Sequence, residues 1–155
     1  MPEFRLVDVT EQPYVYADCK CAMAPADISR TMGNAFALVM EFIQKNGLTL
    51  TGPALSVYYS YDPETVEFRA GFFVSAEDAK KASGAIKAGM TPAGRVVSFT
   101  HVGPYSKFSE SYGALMEWMQ GEGLALGAPT WETYVDDPDS TPEAELRTDI
   151  YVSLA

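Results

Sequence analysis

The chain has one histidine, two cysteines, and 11 lysines and arginines against 21 acids in 155 residues. Each scarcity excludes something. A single His without clustered Cys leaves no zinc spacing, so neither a metal nor a cofactor is expected. Cys19 and Cys21 stand two apart on a predicted strand, where Cα atoms are about 6.6 Å apart, near the limit for a disulfide. Both are read as reduced thiols. The net charge of −10 repels phosphate backbones, and no basic stretch is interleaved with aromatics, so direct nucleic-acid binding is not expected. No apolar run approaches about 18 residues, and the start MPEFRLVDV lacks a basic-then-apolar signal pattern. No membrane partner and a cytoplasmic location follow as expectations. GLTLTGP has neither the Lys nor the Gly spacing of a phosphate loop. His101 has no second His and no G-x-S-x-G motif beside it, so it is read as the anchor of a turn rather than a base. Asp136, Asp137 and Asp139 lack the spacing of a calcium loop and read as solvated.

What is present is a globular mix, 47% hydrophobic and 21% charged, long enough to bury one core. The chain is also written twice. FALVMEFIQKNGLTLTGP (36–53) aligns without a gap to YGALMEWMQGEGLALGAP (112–129), with seven of 18 positions identical. EFRAGFFV (67–74) matches ELRTDIYV (145–152), Tyr58 corresponds to Tyr134, and Asp62-Pro63 to Asp137-Pro138. Met32, Phe36, Val39 and Ile43 fall on one helical face, as do Phe108, Tyr112, Leu115 and Met119. Gly47 and Gly123 stand where helices close in a left-handed cap. Strands are predicted near 4–9, 14–22, 55–61, 67–74, 86–90, 95–102, 130–136 and 146–153. The resulting fold class is α+β, a duplicated ββαββ unit with pseudo-twofold symmetry, one antiparallel sheet with two main helices and a ligand cleft between the halves. The boundaries are repeat one at about 1–74, a linker at about 75–84 and repeat two at about 85–155, in a single domain 1–155.

Within GAPTWETYV (127–135), Glu132 lies two residues before Tyr134 and so on the same face of a strand. Strand interiors are poor in Glu, and a buried carboxylate needs a partner. By residue type alone Glu132 is a solvated side chain or a partner of Arg69 or Arg147. The duplication weighs against that, since Glu132 aligns with Ser56 and the fold therefore does not require an acid there. A carboxylate in an apolar cleft resists ionisation, and a cation relieves that cost.

HVGPYSKFSESYGALMEWM followed by GAPTWETYVDDPDSTPEAELRTDIYVSL resembles the GyrI-like small-molecule-binding family, within the SOUL/GyrI-like superfamily. That family includes effector-binding domains of AraC- and MerR-type multidrug regulators. The matching elements are the HxGPY turn (His101, Gly103, Pro104, Tyr105), the helix with Tyr112 and Trp118, the PxxExY strand, and the closing TDIYVSL, with Ser153 where Pro is common. The resemblance implies a cleft between the halves whose acid is Glu132, neutralising lipophilic cations between aromatic rings. Tyr58 and Tyr134 are expected in that cleft, Tyr105 and Tyr112 by resemblance, and Trp131 at its rim although it alternates to the opposite face. Phe36, Phe42 and Trp118 are read as core. With no DNA-binding segment in the sequence, the implied function is a stand-alone binder that sequesters hydrophobic, cationic small molecules. The alternative is a cofactor-free hydrolase of cyclopropane-type electrophiles with Glu132 as catalytic acid or base. A third is a gyrase-inhibiting interaction module, for which the residues offer no specific support and no identifiable protein partner.

Overall fold

A computed structural model describes residues 3–61, 64–137 and 139–155, with the side chains of Ser60 and Tyr61 left aside. The Asp62-Pro63 pair and Pro138 lie outside the described residues. In chain order the elements are β1 (Arg5–Val9), β2 (Pro13–Ala22), α1 (Pro25–Asn46), β3 (Leu50–Tyr61), β4 (Thr65–Val74), α2 (Ala76–Ala79), β5 (Lys87–Met90), β6 (Gly94–Val102), α3 (Phe108–Gly121), β7 (Leu126–Tyr134) and β8 (Arg147–Leu154). Single 3₁₀ turns at Tyr105–Lys107 and Glu143–Glu145 lead into α3 and β8. Pro25 opens α1 with a preset φ, and Gly47 closes it at φ 67°, its N–H returning to Ile43 O. Gly123, just beyond α3, has φ 69°. Both glycines occupy the conformation expected of them.

The strands form one open antiparallel sheet in the order β1-β6-β8-β7-β3-β4-β2-β5. In a flat sheet β1 and β2 would stand about 29 Å apart, six strand spacings. Yet residues 10–12 alone join them, a reach of about 14 Å at most. Residues 91–93 likewise join the other edge, β5, to β6. The two links bond to each other, Gln12 N to Thr91 Oγ1 at 3.0 Å and Thr91 N to Gln12 O at 2.9 Å. The sheet must therefore curl until its edges approach. Its inner face is lined by Tyr14, Tyr16, Leu55, Val57, Phe73 and Trp131, with Val7 and Val9 of β1 packed against them.

The two long helices, α1 and α3, lie on the outer face. α1 sets Ala35, Val39 and Ile43 on Val15, Ala17, Phe68 and Ala70 of β2 and β4. α3 sets Leu115 and Met119 on Val97, Phe99, Ile150 and Val152 of β6 and β8. Each fully buried aliphatic side chain in these layers contributes about 1.5–3 kcal/mol. Because each helix covers strands to one side, the outer face of the central pair, β3 and β7, is left in the gap between them. No helix among the described residues is long and apolar enough to cross a membrane.

Candidate functional site

The pleat decides which side chains enter that gap. β3 and β7 pair antiparallel with Ser56 opposite Glu132, Tyr58 opposite Thr130 and Ala54 opposite Tyr134. Ser56, Tyr58, Glu132 and Tyr134 therefore share the outer face, and Trp131 points the other way. Glu132 is 3% exposed. Its Oε2 accepts a hydrogen bond from Tyr112 Oη at 2.6 Å and its Oε1 one from Tyr134 Oη at 2.9 Å. The Tyr58 hydroxyl lies near enough to favour the charged form of the carboxyl as well. Ser56 Oγ lies 2.8 Å from Tyr134 Oη, and Met32 Sδ of α1 lies 3.4 Å from Ser56 Oγ. Phe36 meets Tyr134 edge-on at 6.1 Å, and Tyr105 lies 5.6 Å from the same ring. The result is a carboxyl at the bottom of a half-buried aromatic nest, walled by α1 on one side and by α3 with its preceding turn on the other.

Burial raises the Glu132 pKa above the ordinary carboxyl value, and the three tyrosine hydroxyls, which favour the charged form, offset only part of the rise. Burial likewise pushes Tyr58 and Tyr134 well above the usual phenol value, with the Glu132 charge adding to it. These phenols stay protonated and donate. Among the described residues no Lys, Arg or His pairs with Glu132. The two arginines named as candidate partners are engaged elsewhere. Arg69 lies over the Tyr16 and Tyr59 rings at 4.3 and 4.6 Å and donates to Tyr14 Oη. Arg147 forks onto Asp136 with Nε and Nη2 at 2.9 Å.

Tyr58, Tyr134, Tyr105 and Tyr112 thus come together around Glu132. Trp131 does not: it is 3% exposed on the inner face and stacks on Tyr151 at 5.2 Å with an interplanar angle of 14°. Its expected place at a cleft rim is corrected, because the curl of the sheet buries the inner face as deeply as the outer one. The cleft itself is closed over Glu132. Two surface cavities, of about 340 and 440 Å³, lie elsewhere, one beside His101, Lys107 and Ser111 and the other beside Lys20, Tyr59 and Arg69. Met32, Phe36 and Ser56 were not read from the sequence as site residues. Met32 and Phe36 head the apolar stripe of α1, and only the side-by-side placement of β3 and β7 turns that end of the stripe toward Glu132.

His101 holds the turn before α3. Its Nε2 faces Pro104 O at 3.0 Å, its Nδ1 faces Ser111 Oγ at 2.6 Å, and Phe108 packs edge-on at 4.6 Å. Both cysteines are free, and burial pushes the Cys19 thiol up to about 11. Among the described residues no three His, Cys, Asp or Glu side chains converge as a metal site requires.

An α+β fold with an acid between aromatic walls belongs to the class of small-molecule-binding domains. A family model for the GyrI-like small molecule binding domain matches residues 2–155, and the chain belongs to that family. A comparison with curated proteins found no match. Among solved structures, the EcmrR C-terminal domain is 23% identical with a TM-score of 0.80, over 100% of this chain and 98% of that one. The EcmrR–DNA complex gives 24% identity and a TM-score of 0.81 over 99% of this chain, which spans 57% of that longer one. SAV2435, solved bound to tetraphenylphosphonium, is 12% identical with a TM-score of 0.68, over 99% of this chain and 94% of that one. At these identities the likeness is one of fold.

Proposed function

We propose that the chain binds hydrophobic cationic small molecules and acts by sequestering them, with Glu132 as the counter-charge and Tyr58, Tyr105, Tyr112 and Tyr134 as the surrounding rings. One observation carries this reading. Glu132 is almost wholly buried, takes its hydrogen bonds from tyrosine hydroxyls, and pairs with no cation among the described residues. A carboxyl so placed is costly to ionise, and a bound cation removes that cost while each aromatic face adds about 0.5–2 kcal/mol. The net charge of −10 favours the approach of such a ligand. The phosphonium seen in SAV2435 is a ligand of this class on a related fold.

The same reading treats the site as the seam between two like halves, about 1–74 and 85–155. Two regularities support it. Glu132 faces the residue it aligns with, Ser56, and the flanking pairs Ala54–Tyr134 and Tyr58–Thr130 exchange with each other under the alignment. A ladder that maps onto itself in this way is what a twofold axis through Ser56 and Glu132 would produce. The strand order also reads the same from both ends, with the first strand of each half paired to the second strand of the other.

The test is a fluorescence titration with a lipophilic cationic dye and a neutral dye of the same shape. Wild type should bind the cation in the micromolar range, and Glu132→Gln should lose at least tenfold, about 1.4 kcal/mol. The neutral dye should not distinguish the two proteins. Equal cation binding by both would reduce Glu132 to a structural residue. A second reading rests on the 2.6 Å Tyr112–Glu132 contact at a carboxyl of raised pKa, with Glu132 activating water against a cyclopropane-type electrophile and a tyrosine steadying the leaving group. Catalytic turnover of such a substrate, lost in Glu132→Gln, would favour hydrolysis over sequestration; stoichiometric binding without turnover would end that alternative.

A further inference from the structure

One polar group near the site is left without a role. Thr148 of β8 is 0% exposed, and among the described residues its Oγ1 has no hydrogen-bond partner. Its register places it between two functional neighbours, opposite His101 of β6 on one side and Tyr134 of β7 on the other. Directly paired residues share a face, so the Thr148 side chain lies on the outer face in a row with them. A chain of rings runs from one end of that row to the other: His101 to Phe108 at 4.6 Å, Phe108 to Tyr105 at 5.3 Å, and Tyr105 to Tyr134 at 5.6 Å. Thr148 holds the middle position of that row, between the two residues where the ring chain ends. A hydroxyl buried without a partner is destabilising, and native folds rarely keep one without use. The feature is local to this half. The backbone position of Thr148 is two residues along and one strand across from Glu132, roughly 8 Å, within the width of a triaryl cation.

We propose that Thr148 is a specificity-determining residue of the Glu132 site, its Oγ1 receiving a hydrogen-bonding group that the cationic ligand projects toward it. The ligand class is thereby narrowed from any lipophilic cation to one bearing a hydroxyl, carbonyl or ether on the arm that points away from its charge. This inference rests on the reading of Glu132 as the cation's counter-charge. A hydroxyl can serve either partner, so Thr148 accepts from a phenol or donates to a carbonyl. An isosteric valine can do neither.

The probes are tetraphenylphosphonium and its mono-hydroxyphenyl analogues, titrated by calorimetry against wild type, Thr148→Val, Thr148→Ser and Glu132→Gln. Wild type should prefer one hydroxyphenyl isomer over the parent cation by about threefold to tenfold, the range of one neutral hydrogen bond. Thr148→Val should erase that preference, Thr148→Ser should retain it, and Glu132→Gln should weaken parent and analogue alike. Without ligand, Thr148→Val should melt roughly 2–4 °C higher than wild type, because a methyl replaces an unpartnered hydroxyl. A preference that persists in Thr148→Val, or is missing from wild type while Glu132→Gln still weakens both cations, overturns the role of Thr148 and spares that of Glu132. A lower melting point for ligand-free Thr148→Val would show a structural partner for the hydroxyl and overturn it too. Failure of wild type to bind either cation would remove the Glu132 reading, and this one with it.

Discussion

Raising the pH should tighten cation binding and remove the stability that Glu132 lends the ligand-free fold, and Glu132→Gln should lack both contributions. Burial holds the Glu132 pKa above its unfolded value of about 4.3, despite the opposing hydroxyls of Tyr112, Tyr134 and Tyr58. Between those two pKa values the native protein keeps a proton that the unfolded chain has released. The stability this provides is fully present below the unfolded pKa and is lost as the pH rises through the folded one. Binding runs the other way. A cation pairs with the carboxylate, so below the folded pKa the proton competes with it and each pH unit downward should weaken binding about tenfold. Dye affinity and denaturant midpoints measured upward from below the unfolded pKa of about 4.3, wild type against Glu132→Gln, isolate this group from the other 20 acids, whose contributions cancel in the difference. Calorimetry in two buffers of different ionisation heat should show proton release on binding near and below the folded pKa. Parallel pH curves for the two proteins, with no proton released, would mean that Glu132 does not change charge in the process.

Much of this site can be read along the chain because its determinants are local. Two residues of pleat join Glu132 to Tyr134, helical spacing joins Phe36 to Ile43, and the left-handed glycines mark where α1 and α3 stop. The Ser56 contrast comes from aligning the sequence with itself, which sets Ser56 against Glu132. Long-range order is another matter. Nothing within β1 says that its partner is β6, more than 80 residues on, and the curl follows only once the strand order meets the three-residue links. Trp131 shows the consequence. Alternation places it opposite Glu132, which is where it lies, but an antiparallel sheet with helices on one face ordinarily leaves the other face wet. A half-exposed rim was the natural expectation, and the curled sheet makes that face a core instead. Thr148 stayed hidden for the same reason, since a strand threonine becomes conspicuous only when His101 and Tyr134 are found on either side of it.

Trp131→Ala should destabilise the fold by about 3–5 kcal/mol, the range for truncating a buried large aromatic. The indole is 3% exposed, stacks on Tyr151 at 5.2 Å, and sits with Val57 and Tyr151 as its cross-strand partners. It fills the middle of the inner face, where β3, β7 and β8 are fixed by their ladders and the opposing edge is tied through Gln12 and Thr91, so little collapse into the void is available. Guanidinium unfolding measures the loss. The milder Trp131→Phe keeps a ring and should fold at a smaller cost, which leaves it available for dye titration. There its affinity for the cation should match wild type, because the sheet backbone stands between residue 131 and the carboxyl of Glu132. Stability and binding should therefore separate: Trp131 substitutions move the first alone, and Glu132→Gln moves the second. A tenfold loss of dye affinity in Trp131→Phe with unchanged unfolding would place the indole in the ligand site and require the inner face, rather than the gap between the helices, to hold the ligand.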